Sequence, residues 1–318
     1  MKVRLGFVAM TLRLENCSPS KTITLKNIEK ISGYEHQIGR LTSIAKENLE
    51  NTLRILKANQ YDHIQVYRFT SKLIPLCTHP QFRTWNYCED LSRELKAVGN
   101  FVKEHRMRVS MHPDHFTLLN SPNPEVVETS IRDLEYHTNV LEAMGLGTEA
   151  KLVLHVGGKY NQRSEALERF KSEFLQLPER IKSRITVEND DRSFTAAEVL
   201  KLCRDIKAPM VFDLHHHQVL NHGEDLSVMW PEICATWENT GLPPKVHLSS
   251  PRDDQSPRFH ADFIDADAAV NFLNIIRPLD KDIDIMIEAK QKDMALIRLS
   301  EDLKARGFTM NGLAELIL

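Results

Sequence analysis

Six short apolar runs in this chain each deliver a side chain that can bind a metal ion. His112 closes Arg108-Val-Ser-Met-His, His155 closes Leu152-Val-Leu-His, Glu188 closes Ile185-Thr-Val-Glu and Asp213 closes Met210-Val-Phe-Asp. His247 and Glu288 hold the same place in Lys245-Val-His-Leu and Ile285-Met-Ile-Glu. One His or carboxylate at a strand end is commonly a hydrogen-bonded structural group. Six are different, because burying so many ionisable groups unpaired would cost several kcal/mol each. Metal ions are the economical partners. Nitrogen and oxygen donors without thiolates suit manganese, zinc or iron better than copper(I) or a closed structural zinc site. A carboxylate such as Glu188 or Glu288 can bridge two ions, and paired ions a few Å apart suit in-line phosphoryl displacement. Two-metal sites also isomerise sugars, so the donor set alone leaves the substrate open.

Two further groups of His qualify less directly. In His215-His216-His217 adjacent side chains point in different directions, so one of the three is expected beside Asp213. His216 is favoured, with His217 its nearest competitor. His260, in Pro257-Arg-Phe-His-Ala-Asp262, lies in a loop after the seventh apolar run, where an exposed His is the ordinary expectation.

Positioning these donors requires strands that end on one rim. Apolar runs of strand length near 2–9, 62–68, 107–112, 151–156, 184–189, 209–213, 244–249 and 283–288 alternate with helical stretches. The helices fall near 43–59, 88–105, 123–144, 163–178, 195–207, 225–239, 265–276 and 292–306. This is the pattern of parallel β/α units. Pro124 opens the third helix, and Thr195-Ala-Ala-Glu198 reads as a capping box. Eight repeats without a long linker or a break in composition predict one domain over 1–318, an α/β single (β/α)8 TIM barrel. In such barrels chemistry gathers at the C-terminal ends of the strands, where the ligand series lies. Period two puts Lys245, His247 and Ser249 on one face, and Asp284, Met286 and Glu288 on another.

Of 318 residues, 42% are hydrophobic and 27% charged, as in an ordinary soluble protein. The formal net charge of −3 means that a nucleic acid would have to be held by a local basic patch. Five scattered cysteines form no C-x-x-C pair, which points to a reducing, cytoplasmic setting rather than a disulfide framework. The apolar start is short and followed by Arg13, so it reads as the first strand and not a leader. No run approaches the ~20 apolar residues of a membrane span.

In order and spacing the chain resembles the UV damage endonuclease family, relatives of endonuclease IV. The matching segments are Tyr67-Arg-Phe-Thr-Ser-Lys-Leu-Ile-Pro75 with Thr78-His-Pro80, Ser110-Met-His-Pro113, Leu154-His-Val-Gly-Gly158, Val187-Glu-Asn-Asp-Asp191, Phe212-Asp-Leu-His-His216, Pro244-Lys-Val-His-Leu-Ser-Ser250 and Ile287-Glu-Ala-Lys290. They cover nearly the whole chain.

The resemblance implies a repair endonuclease that nicks duplex DNA immediately 5′ to UV photolesions, leaving a 3′-hydroxyl and a 5′-phosphate. It implies two to three divalent ions, manganese first, with zinc or magnesium as alternatives. By likeness, His112, His155 and Glu188 hold one ion, and Asp213, His247 and Glu288 hold a second with Glu188 bridging. His216 and His260 would hold a third, although endonuclease IV has an Asp two residues before its equivalent His where this chain has Arg258. His79 is implied to face phosphate or orient water, and Lys245 to contact phosphate or carry a carboxylated amine. The family places a DNA-probing pair, Gln then an aromatic, where this chain has His115 and Phe116. Such a wedge unstacks and bends a duplex, and a photodimer resists extrusion less than normal bases do. A sugar isomerase on the same barrel is the alternative, and a monomer is expected.

Overall fold

The computed structural model describes all 318 residues. Eight parallel strands form its centre: β1 (Lys2–Val8), β2 (Val66–Phe69), β3 (Arg108–Met111), β4 (Lys151–His155), β5 (Ile185–Glu188), β6 (Met210–Asp213), β7 (Lys245–Leu248) and β8 (Ile283–Ile287). Each pairs with the next, and β1 pairs with both β8 and β2, so the sheet closes into a barrel. Gly6 sits at the closing seam, where a Cβ would come within 2.3 Å of the Val66 carbonyl oxygen. Only glycine lets the two strands meet there.

Alternation divides each strand between two environments. Val3, Leu5 and Phe7, or Val109 and Met111, join the large apolar core between barrel and helices. The opposite face of the strands carries Arg4, Arg108, Ser110, Lys245 and Asp284, which meet one another inside the barrel. Val153, Val211 and Trp237 make a small separate apolar cluster.

The principal helices are Tyr34–Tyr61, Ser92–Glu104, Pro124–Ala143, Arg163–Gln176, Ala196–Ile206, Leu226–Ala235, Ala266–Ile276 and Lys292–Ala305. Thr195 and Glu198 form the predicted capping box, and Asn123 caps the helix that Pro124 opens. Two elements depart from the sequence reading. The first principal helix begins at Tyr34 rather than near 43. The C-terminus adds a hairpin, β9 (Thr309–Asn311) and β10 (Glu315–Ile317), which pairs antiparallel with Lys2–Arg4 of β1. There β1 extends beyond its pairing with β2, and the hairpin covers the exposed edge. No helix is long and apolar enough to cross a membrane.

Candidate metal centre

Strand register brings the expected donors onto one rim. His155 on β4 pairs with Glu188 on β5, and Asp213 on β6 pairs with His247 on β7. Glu188 is the hub. One carboxylate oxygen lies 3.0 Å from His112 Nε2 and 3.6 Å from His155 Nε2. The other lies 2.8 Å from His247 Nδ1 and 3.7 Å from His216 Nδ1. His247 Nδ1 is also 3.0 Å from Glu288. Three groups have the geometry to hold an ion: His112, His155 and Glu188; Glu188, Asp213 and His216; Glu188, His247 and Glu288.

Local backbone decides how the donors divide. Directly after β6 the chain turns into a short helix, Leu214–Val219, whose first turn is capped by Asp213 accepting from the His216 backbone N–H at 2.7 Å. That turn folds His216 back over Asp213, so Asp213 groups with His216 and not with His247, its neighbour in register. The family resemblance implies a different division, with Asp213 on the His247–Glu288 ion and His216 on a third ion with His260. His260 joins none of the three groups; its ring stands 6.5 Å from that of His216 and 5.4 Å from that of His215. His215 bonds the Pro257 carbonyl and Ser249, and His217 bonds Asn221, so neither enters the cluster.

Hydrogen bonding fixes the ring states and tests whether a cation fits. His112 Nδ1 donates to the Pro113 carbonyl at 2.9 Å, which leaves Nε2 as the nitrogen that meets the Glu188 carboxylate, 3.0 Å away. Two acceptors that close require a cation or a proton between them. The Asp213 oxygen not used for capping is buried with no partner. His216 Nδ1, the nitrogen that approaches Glu188 and Asp213, donates to the Asn189 carbonyl at 2.9 Å, so its other nitrogen, once deprotonated, is the one able to ligate. The residues present fit bound metal.

Charge reinforces that fit. Burial opposes ionisation of Glu188, yet His247, His155 and His112 outweigh it and hold its carboxyl well below the usual range. Glu288 is likewise held down, Arg68 and His247 prevailing over burial. Burial pushes Asp213 up to about 7, with Glu188 and Glu288 adding to the rise. Burial disfavours a charged His216, but Asp213 and Glu188 overcome it and raise the imidazole to about 9. Burial lowers His155 to about 4, a neutral ring ready to ligate.

The remaining expected residues lie around this cluster. Lys245 is buried beneath it and donates to Ser110 Oγ at 2.9 Å; burial and Arg108 push its amine well below the usual range. His79 caps the short helix Pro80–Phe82, its Nδ1 accepting from the Gln81 backbone N–H at 3.3 Å. His115 and Phe116 stand exposed after β3 with ring centroids 4.1 Å apart. Phe116 is 72% exposed, so it does not cap the barrel core. A cleft of about 540 Å³ joins this tip to the cluster, lined among others by His115, His155, Gly157, Asp191, His216 and Arg258. A larger hollow, about 670 Å³, lies at the other end of the strands beside Lys151 and Pro209, away from every one of these residues.

Several contributors escaped the sequence reading. Arg68, at the end of β2, forms an ion pair with Glu288. Its place at a strand end was a signal, but a search for acceptors passes over a cation. Asn189 clamps Asp213 by two 2.9 Å bonds to its backbone. Asp191 holds Arg258 at 2.6 and 3.0 Å, so the arginine that replaces an acid near His260 is neutralised from another loop.

A closed β/α barrel with buried His, Asp and Glu groups able to hold metal at the C-terminal mouth of its strands defines the class of (β/α)8 barrels with a candidate metal site. Residues 3–315 match the family model of UV-endonuclease UvdE, and the chain belongs to that family. It is 43% identical over 304 residues to a UV DNA damage endonuclease of Halalkalibacterium halodurans, covering 95% of this chain and 94% of that one. Its structure is similar to the crystal structure of SacUVDE, with a TM-score of 0.85, 33% identity and coverage of 96% and 99%. Endonuclease IV from Thermus thermophilus shares the fold, with a TM-score of 0.57, 15% identity and coverage of 95% and 99%.

Proposed function

We propose that residues 1–318 form one catalytic domain, a hydrolase that nicks duplex DNA immediately 5′ to cyclobutane pyrimidine dimers and 6-4 photoproducts. The products are a 3′-hydroxyl and a 5′-phosphate. The observation that carries this reading is the single Glu188 carboxylate shared by three ligand groups, in a chain with relatives named UV DNA damage endonuclease over about 95% of its length. His112, His155, Asp213, His216, His247 and Glu288 complete the donor set for two to three divalent ions, manganese first and zinc or magnesium next. His260 serves as an outer ligand beside His216. When bound, the ions supply an activated water and stabilise the leaving oxygen.

The chain's own residues hold the substrate around that centre. Cap geometry leaves His79 Nε2–H as a donor for a backbone phosphate. Burial and Arg108 lower the basicity of the Lys245 amine under the cluster, which favours the uncharged form able to carry a carboxyl group, and an intact-mass measurement reads that modification. Phe116 wedges into the base stack with His115 behind it, and the weakened photodimer is displaced into the adjoining cleft. Sugar isomerisation is the weaker reading, because relatives spanning the whole chain carry the name of a DNA-damage endonuclease. The enzyme works as a cytoplasmic monomer, which gel filtration checks.

The test treats protein with chelator, incubates it with irradiated and untreated plasmid, then restores manganese. Nicking should appear on irradiated plasmid only and return with the metal. Nicking indifferent to both irradiation and metal would overturn the proposal.

A further inference from the structure

Phe259 is the second large aromatic side chain exposed on the rim, and its setting differs from that of an ordinary surface residue. It is 60% exposed, at the tip of the loop that follows β7. That loop is built as a stiff ribbon. Arg252 N–H donates to the Phe259 carbonyl at 2.7 Å, Ala261 N–H donates to Ser250 at 2.8 Å, and Pro251 bridges to His260. Its inner side is pinned to the metal end of the barrel, Arg258 by Asp191 and Pro257 by His215. Phe259 lies between the two residues whose side chains turn toward the site, Arg258 and His260, and itself faces solvent.

One face of the ring is already taken. The Arg252 guanidinium lies 4.9 Å from the ring centroid, and bonds to Asp253 at 3.0 Å and Ser256 at 2.7 Å keep it there. The other face is open. A ring held on a rigid ribbon, backed by a cation and bare on one side, is the arrangement that stacks on a nucleobase without paying much side-chain entropy. Position adds the second argument. In the closed order of eight strands, β3 and β7 are four apart in either direction. The roots of the two loops therefore lie on opposite sides of the barrel, and both loops border the same cleft beside the ligand cluster, His115 from one and Arg258, next to Phe259, from the other.

We propose that Phe259, backed by Arg252, is a second base-stacking wedge, so that the duplex is gripped and unstacked at two points flanking the scissile phosphate. This rests on the reading of the chain as a lesion endonuclease. Two wedges raise selectivity beyond what one supplies, because an undamaged duplex must yield at both steps while a photodimer has already weakened the stack between them.

The experiment uses the metal-loaded enzyme and a photodimer duplex made uncleavable by a methylene-phosphonate linkage 5′ to the lesion. A 2-aminopurine reporter is scanned along both strands. Wild-type protein should brighten the reporter in two separated places; Phe116→Ala should lose one and Phe259→Ala the other. Phe259→Ala should also weaken binding about 10-fold, the scale of one base–aromatic stack, while Phe259→Trp keeps both signal and affinity. Unchanged signal and affinity in Phe259→Ala overturns the wedge and leaves the endonuclease reading intact, provided the wild type still nicks irradiated plasmid. Weaker binding with both signals retained also overturns it, since a contact would then exist without stacking. A wild type that neither binds nor nicks removes both proposals together.

Discussion

Replacing Glu188 with Gln removes one charge and keeps the side chain's shape. The site then holds two carboxylates, Asp213 and Glu288, and in each of the three ligand groups a charged oxygen donor becomes a neutral amide oxygen, since Glu188 belongs to all of them. Donor atoms within a group lie within 4.8 Å of one another. At about 4 Å and an effective dielectric near 20, two unit charges interact by about 4 kcal/mol, roughly 1,000-fold in a binding constant. A divalent ion feels twice the field, so that factor is a floor. Manganese retained after dialysis, measured by inductively coupled plasma mass spectrometry, should fall to near background, and nicking at micromolar manganese should disappear. Affinity for a photodimer duplex, read by fluorescence anisotropy, should stay within about threefold, because His115 and Phe116 sit on a separate loop. A Glu188→Gln protein that keeps its manganese and nicks within tenfold of wild type would refute the hub assignment.

Other expectations follow from the same geometry. His216, raised to about 9, and Asp213, raised to about 7, must shed protons to ligate, so manganese affinity should weaken as pH falls from 9 to 6. Calorimetry in two buffers of different ionisation enthalpy would show the proton release, and a pH-independent affinity counts against it. Arg68→Met frees Glu288 from its ion pair and should lower metal affinity or nicking by about 10–100-fold, with little change in lesion binding. Asp284→Asn leaves Arg4 and Arg108 without their buried partner; the cost should be about 3–5 kcal/mol, a drop of roughly 5–8 °C in melting temperature for this size. His115→Gln should leave turnover near wild type and shift preference among lesions, and identical relative rates on a panel of lesion duplexes would deny it a probing role.

How much of this was legible depends on the range over which each feature is determined. Strand ends were readable because a parallel β/α repeat leaves a strong local pattern, and barrel closure then forces His112, His155, Glu188, Asp213, His247 and Glu288 onto one rim. Their grouping was not readable. That Asp213 stands within reach of His216 follows from the turn that Asp213 itself caps, a feature of the backbone after the strand rather than of spacing along it. The C-terminal hairpin was hidden for a similar reason: Thr309–Asn311 and Glu315–Ile317 are too short to carry a period, and they form because the start of β1 offers an unpaired edge. Sequence alone does not say whether Phe116 is buried, and its exposure sets it on the open rim.

The charged filling of the barrel belongs to the metal centre as much as the ligands do. An apolar interior would act on every carboxylate as burial acts on Asp213, favouring the protonated form and weakening its grip on a cation. Arg68 prevents this for Glu288 by direct pairing. Deeper, Arg4 and Arg108 share Asp284, and burial together with Arg108 lowers the basicity of Lys245. Lys245 lies buried two residues from His247, bonded to Ser110, and its lowered basicity disfavours a charge that would repel ions held above it. A change at Arg4, Arg108 or Asp284 should thus alter metal affinity with no ligand touched, by changing the basicity of Lys245 and the tilt of the strands that carry His112, His247 and Glu288.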